Sequence, residues 1–315
     1  MLIYRFPGKE IIKKSGAFEL FNDLPKKGFI VSDFKGEKRY VFIEKSIEFH
    51  QYYKLAKLNV IQPDGYLKKG NILITALRAL GIKKTVFSRI KELPFDESKS
   101  IELFYELEKA YPNAFVYLLS DEKLGTWIGA SPEILLRKIQ KNGFTVSLAG
   151  TKRKEELSAW SEKEKLEQAY VSDFIADELN LLNLKSIEKS EIYEHIAGPV
   201  KHLRTDFNFT MEHSEVDSFL KRLHPTPAVS GLPQSLALEL IEQLENHDRS
   251  LYSGYIGEID NENASIFVNL RCCQIRIGKI YLYLGGGYTV DSNPELEWIE
   301  TENKSKTISD LIQKV

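Results

Sequence analysis

No apolar run in this 315-residue chain is long enough to cross a bilayer. The richest stretches, residues 71–80 and 129–136, fall well short of the roughly 20 residues a spanning helix requires. The opening MLIYRFPGKE lacks the apolar core of a secretory signal, so export is not expected. Cysteine is almost missing: there are two, Cys272 and Cys273, side by side. Neighbours on a strand point to opposite faces, so a disulfide between them would be strained, and two thiols cannot build a cysteine metal site. A reducing, cytoplasmic setting is the expectation. Charge of one sign is not in excess either. The 43 Lys and Arg against 45 Asp and Glu leave a net charge of −2, and both signs are mixed along the whole chain. Nucleic acid is therefore not the expected partner, and neither is a membrane. The phosphate-binding GxxxxGK[ST] and GxGxxG patterns are missing, as are GxSxG, HExxH and any Cys/His zinc spacing.

What is present is the composition of a globular protein, 43% hydrophobic and 28% charged. No linker, repeat or low-complexity tract divides it, so residues 1–315 read as one domain. Its first part, 1–65, alternates short apolar runs with Gly, Asp and Lys and reads as strands and turns; 66–315 reads as the core. Helices are expected over 66–80, ended by Gly81, and over 97–110, stopped by Pro112. The longest, 161–182, opens on a capping box formed by Ser161 and Glu164. Others are expected over 215–222, 233–246 and from Pro294 to the C-terminus. Strands are expected at KKTVFSRI, AFVYLLS, TWIGA, EILLRK and FTVSLAG, with HIAGPVKHLRT extended. Three long antiparallel strands follow: SLYSGYIGEID, ASIFVNLRCCQIRI and KIYLYLGGGYTV. Runs of strands punctuated by helices, without strict alternation, predict an α+β fold of large antiparallel sheets flanked by helices.

Several side chains stand out against this pattern. Glu297, Glu300 and Lys304 fall at i, i+3 and i+7 on the last helix, one stripe that reads either as a solvated face or as an oxygen-rich site for a hard cation. The triple glycine before it leaves backbone N–H groups open and would allow close approach of an anion. Glu167 shares a helical stripe with Tyr170, Val171 and Phe174, so it must be paired, protonated or metal-bound. Glu133 is a single acid in the apolar run GASPEILLRK, where burial would raise its pKa toward that of a general acid. Lys84 opens the strand KTVFSR. It reads as a solvated gatekeeper, or, if desolvated, as a base. Arg271, amid IFVNLRCCQI, needs an anionic partner and is a candidate carboxylate clamp. The histidines carry no metal-site spacing, and HPTPAVSGLP reads as a rigid loop.

Seven segments together, GASPEILLR, LAGT, VKHLRT, HPTPAVSG, YSGYIGEI, NLR and LGGGYTVDSNPELEWIETENK, resemble the chorismate-binding enzymes in the family's own order, from about Lys84 to Lys304. That family includes isochorismate and salicylate synthases, anthranilate synthase component I and aminodeoxychorismate synthase component I. The resemblance implies a single α+β unit and Mg²⁺ held by Glu167 and Glu300. It implies that Arg271, Lys304 and the backbone at Gly285 hold substrate carboxylates, with Gly150, Ala228 and Val229 lining the pocket. Glu133 matches the family's general acid. Lys84 matches the lysine with which isochorismate and salicylate synthases activate water; members using ammonia tend to carry glutamine there. Ala149 stands where aminodeoxychorismate synthases carry a nucleophilic lysine, and Gln168 where many members have histidine. The implied activity is conversion of chorismate to isochorismate, for menaquinone or siderophore biosynthesis, without an amidotransferase subunit. Salicylate synthesis is the alternative, ahead of an anthranilate-type subunit or a non-catalytic chorismate-binding protein.

Overall fold

The computed structural model describes residues 1–46, 50–53, 58–197 and 200–315. In chain order the elements are β1 (Leu2–Arg5), β2 (Ile12–Lys14), β3 (Gly16–Leu20), β4 (Gly28–Ser32), β5 (Arg39–Glu44), α1 (Pro63–Leu80), β6 (Lys84–Pro94), α2 (Ser100–Ala110), β7 (Phe115–Asp121), β8 (Gly125–Ser131), β9 (Ile134–Ile139) and β10 (Asn142–Arg153). Then come α3 (Glu162–Leu181), β11 (Lys185–Lys189), β12 (Tyr193–Ala197), β13 (Val200–Thr210), α4 (Val216–Leu223), β14 (Gly231–Leu232), α5 (Gln234–Leu244), β15 (Tyr255–Ile259), β16 (Ala264–Val268), β17 (Cys272–Arg276), β18 (Lys279–Tyr288) and α6 (Pro294–Ile312).

The strands form two sheets, and all the named strand pairs are antiparallel. The first has the order β14-β6-β18-β17-β8-β7-β1-β2, and the second β11-β13-β10-β9-β16-β15-β4-β5-β3, with β12 also on β13. Inner faces of both sheets meet in an aromatic core. Tyr4, Phe115, Tyr117 and Trp127 come from the first sheet, and Phe18, Phe29, Phe42 and Phe267 from the second. Phe115 and Phe267 stack across the interface at 4.9 Å, an offset geometry that adds about 1 kcal/mol beyond area burial. The outer face of the first sheet is covered by α2 and α6, and that of the second by α3 and α4. This is the expected α+β architecture, and the strands of residues 1–46 are shared between the two sheets.

Helix limits follow the capping signals. Ser161 and Glu164 form the reciprocal capping box of α3, and Gly81 ends α1 in the left-handed region at φ 66°. HIAGPVKHLRT is not one extended segment but the β12–β13 hairpin, of which residues 198–199 lie outside the described residues. The expected long strand ASIFVNLRCCQIRI is also two. β16 belongs to the second sheet and β17 to the first, and Arg271 sits between them at φ 50°. A left-handed residue breaks an extended run, so the chain crosses between sheets at this point. Cys272 and Cys273 are both free, and they point to opposite faces, one into each of two separate cores. Among the described residues no helix is long and apolar enough to cross a membrane.

Candidate active site

A cavity lies between strands of the two sheets, and all ten residues to which the resemblance assigns a role line it: Lys84, Glu133, Gly150, Glu167, Ala228, Val229, Arg271, Gly285, Glu300 and Lys304. They arrive from eight stretches of chain. β6 presents Lys84 at its first residue, while the turn between β8 and β9 holds Glu133 just outside the strand expected for it. α3 brings Glu167 from its second turn. Gln168, beside it, donates its amide to Ser147 Oγ at 2.7 Å and to Thr205 Oγ1 at 3.2 Å, tying α3 to β10 and β13. Arg271 comes from the sheet crossing, Glu300 and Lys304 from α6.

α6 is held along a stripe next to the one that faces the cavity. Arg89 of β6, 2% exposed, donates to Thr301 Oγ1 at 2.7 Å and stacks its guanidinium on Trp298 at 3.8 Å. Residues 298 and 301 being fixed, the helical period turns 297, 300 and 304 toward the neighbouring acids and the cavity.

Lys84 is neither a solvated gatekeeper nor a bare desolvated amine. It is 1% exposed, and its Nζ lies 2.7 Å from Glu167 Oε1. Burial here is balanced by an opposite charge. Glu300 pairs with Lys304 at 2.6 Å, and Lys304 also donates to the Gly285 carbonyl at 2.8 Å. Burial works against the charge on Glu300, but Lys304 outweighs it and holds the carboxyl below its ordinary range. Arg271 pairs with no carboxylate among the described residues. Glu133, 7% exposed, is pushed up to about 7 by desolvation, against the pull of Lys84, Arg271 and Lys304. It therefore still carries its proton in about half of the molecules at pH 7, where an ordinary carboxyl has lost it. In that form three cations face two ionised acids on the cavity wall, which makes the site attractive to a small anion.

The triple glycine is not an anion nest. Gly285, Gly286 and Gly287 sit in β18, in register with Ser88, Phe87 and Val86 of β6, and none has positive φ. What they provide is space. A Cβ on Gly287 would stand 2.3 Å from Glu167 Oε1, one on Gly285 2.6 Å from the Tyr252 hydroxyl, and one on Gly286 3.1 Å from Glu297 Oε2. Gly287→Ala should fold with a near-native melting temperature, because the carboxylate is the end of a flexible side chain. By displacing that carboxylate it should cost roughly 10²-fold in kcat/KM. Native turnover in Gly287→Ala would show that the position of Glu167 does not matter.

Tyr252 and His202 are among the lining residues that had no charge or spacing signal in the sequence. Tyr252 comes from the turn before β15. His202 of β13 lies 2.7 Å through Nδ1 from the Gly150 carbonyl, to which it donates. Burial, then Arg271, pushes its pKa down to about 4, so the ring is neutral. Glu297 sits behind the cavity, 2% exposed and paired with Lys163. Its Oε2 is buried with no hydrogen-bond partner, and burial and the nearby Glu300 raise its pKa.

The donor set around Glu167, Glu297 and Glu300 is all oxygen, and it includes that orphaned carboxylate oxygen. No group of three or more acidic, histidine or cysteine side chains among the described residues forms a ready-made metal shell. The set fits a hard divalent ion such as Mg²⁺, which binds through one or two carboxylates and completes its sphere with water and substrate oxygens.

A buried acid that titrates near neutrality, a buried lysine and a guanidinium with no carboxylate partner among the described residues, all in one cavity, define a site for a small acidic substrate on a two-sheet α+β scaffold. The chain belongs to the chorismate binding enzyme family, whose model matches residues 32–313. It is 28% identical over 285 residues to the isochorismate synthase EntC of Escherichia coli K12, covering 84% of this chain and 73% of EntC. It is 30% identical over 219 residues to anthranilate synthase component 1 of Aquifex aeolicus, covering 64% of this chain and 44% of that protein. In fold it is similar to the crystal structure of DhbC from Bacillus anthracis, described as a putative 2,3-dihydroxybenzoate-specific isochorismate synthase. The TM-score is 0.83 at 21% identity, over 99% of this chain and 95% of that one.

Proposed function

We propose that the protein is an isochorismate synthase that moves a hydroxyl group on chorismate, using Mg²⁺. The observation that carries this reading is the pairing in one cavity of Lys84 with a protonated Glu133, a base and an acid for adding water at one ring carbon while hydroxide leaves another. Ala149, also on the cavity wall, offers no amine for a covalent route.

Arg271 and Lys304 bind the two carboxylates of the substrate, and the walls at Gly150, Ala228, Val229 and Gly285 set its orientation. Glu167 and Glu300 would hold the cation, which when bound neutralises the ring carboxylate and fixes the ring. The competent form is the one in which Lys84 has given up its proton to solvent; its amine then takes a proton from water as the water oxygen bonds to the ring carbon next to the carboxylate-bearing carbon. The ring double bonds shift, and Glu133 gives its proton to the departing hydroxyl, which leaves as water. One water enters and one leaves, so the reaction is an isomerisation. No partner subunit is needed for it, and its product would serve menaquinone or siderophore biosynthesis.

Incubation with chorismate and Mg²⁺ followed by chromatography tests the reading. Isochorismate alone supports it; salicylate with pyruvate would make the protein a salicylate synthase, and unchanged chorismate would overturn both. Glu300→Gln should weaken Mg²⁺ binding at least roughly tenfold in calorimetry, since a direct ligand matters no less than the outer-shell groups whose loss has that effect. Unchanged affinity would take Glu300 out of the cation site.

A further inference from the structure

Behind the cavity lies a buried charge pair that the mechanism above does not use. Arg249 is 3% exposed and Glu245 9%. The guanidinium donates to both Glu245 oxygens, at 2.8 and 2.6 Å, and also to two main-chain carbonyls, Val229 and Val86, each at 2.8 Å. Glu245 Oε1 in turn accepts from the Ser88 amide at 2.6 Å. Phe34 covers the outer face of the guanidinium at 4.2 Å.

The two carbonyls explain why an arginine is buried here. β14 pairs with β6 only at Thr85 and Lys84; a bond from the Lys83 amide to the Leu232 carbonyl flanks the pair on one side, and one from the Val86 amide to the Ser230 carbonyl on the other. Past that point the ladder has ended, and the carbonyls of Val86 and Val229 need donors from elsewhere. Both residues line the cavity, one on the strand that starts with Lys84 and the other on the proline-rich loop. The main chain of Arg249 makes a third link. Its carbonyl accepts from the Tyr252 amide at 2.8 Å, closing the turn that presents Tyr252 to the cavity.

We propose that Arg249 is a positioning residue: its planar guanidinium joins the Val86 and Val229 walls, its main chain closes the turn of Tyr252, and by tying these to one residue it sets the width of the substrate cavity. This rests on the reading of that cavity as the chorismate site. Lysine cannot replace it, because a point charge that pairs with Glu245 lacks the fork needed to hold both carbonyls as well.

The test uses the full chain with Arg249→Lys and Phe34→Leu, the second of which loosens the guanidinium without unpairing any buried charge. Arg249→Lys should raise KM for chorismate by about tenfold or more, with a smaller change in kcat, since the walls hold the substrate in ground and transition states alike. Phe34→Leu should raise KM by about threefold, a smaller loss of the same positioning. Amides in residues 226–231 and 249–253 should exchange faster with solvent in both variants. A lower melting temperature with native KM and native exchange would make Arg249 a stability residue and overturn the proposal. If Arg249→Lys does not fold, Phe34→Leu decides by the same two readouts. If the wild type neither converts nor binds chorismate, the functional reading fails and the exchange rates alone judge Arg249.

Discussion

Lys84→Ala should abolish isochorismate formation, with a fall in kcat of roughly 10²- to 10⁴-fold, the range expected for loss of a general base. Chorismate affinity should stay within a few-fold of native, because Arg271 and Lys304 remain to hold its carboxylates. The ion pair with Glu167 gives the variant a second readout. Removing the amine takes away the 2.7 Å counter-charge of that carboxylate, so Mg²⁺ affinity measured by calorimetry should be unchanged or tighter while turnover is lost. A variant that still turned over would remove Lys84 from the mechanism. One that lost Mg²⁺ binding would mean that Lys84 maintains the cation site and does not act on water.

Glu133→Gln should lower kcat by a similar factor of roughly 10² to 10⁴, and its effect on stability should run the other way. With the folded carboxyl pushed up to about 7 by burial, the wild-type rate should decline as pH rises through 7, since the proton to be donated is lost. The folded state binds the proton more tightly than the unfolded state, whose carboxyl titrates in the ordinary range. Stability from this group is therefore complete at low pH and is lost as pH rises toward and past 7. Above that, ionising a buried acid costs roughly 3 kcal/mol that glutamine does not incur. Glu133→Gln should thus melt higher than the wild type at pH 8 and no higher at pH 4. An equal melting temperature at both values, or a flat rate profile through pH 7, would place the pKa of Glu133 elsewhere.

Much of the molecule was legible in the sequence because its signals are local. The Ser161–Glu164 box and Gly81 mark helix ends through bonds made within one turn, and the stripe of Glu297, Glu300 and Lys304 follows from the helical period alone. Sheet membership is not local. The run IFVNLRCCQI is apolar on both sides of Arg271, and apolarity reports burial without saying in which sheet; the left-handed backbone that splits it leaves no mark in side-chain pattern. The same limit applies to the glycines of β18. Their spacing is compatible with an anion nest or with a strand, and only the neighbours, Glu167, Tyr252 and Glu297, show that they clear space. The Lys84–Glu167 pair joins residues 83 positions apart, and neither half predicts the other. Tyr252 and His202 stood inside quoted motifs, yet nothing in their charge or spacing set them apart.

The N-terminal strands carry a consequence for how such a protein can be cut or recombined. Every candidate site residue lies at or beyond position 84, yet β1 and β2 finish one sheet past β7, and β4, β5 and β3 finish the other past β15. A gene fragment starting at α1 would encode all of the chemistry and still leave two bare strand edges, with Tyr4, Phe18, Phe29 and Phe42 gone from between the sheets. Shuffling experiments that exchange the opening 46 residues among relatives would then sort on packing compatibility, far from any reacting atom.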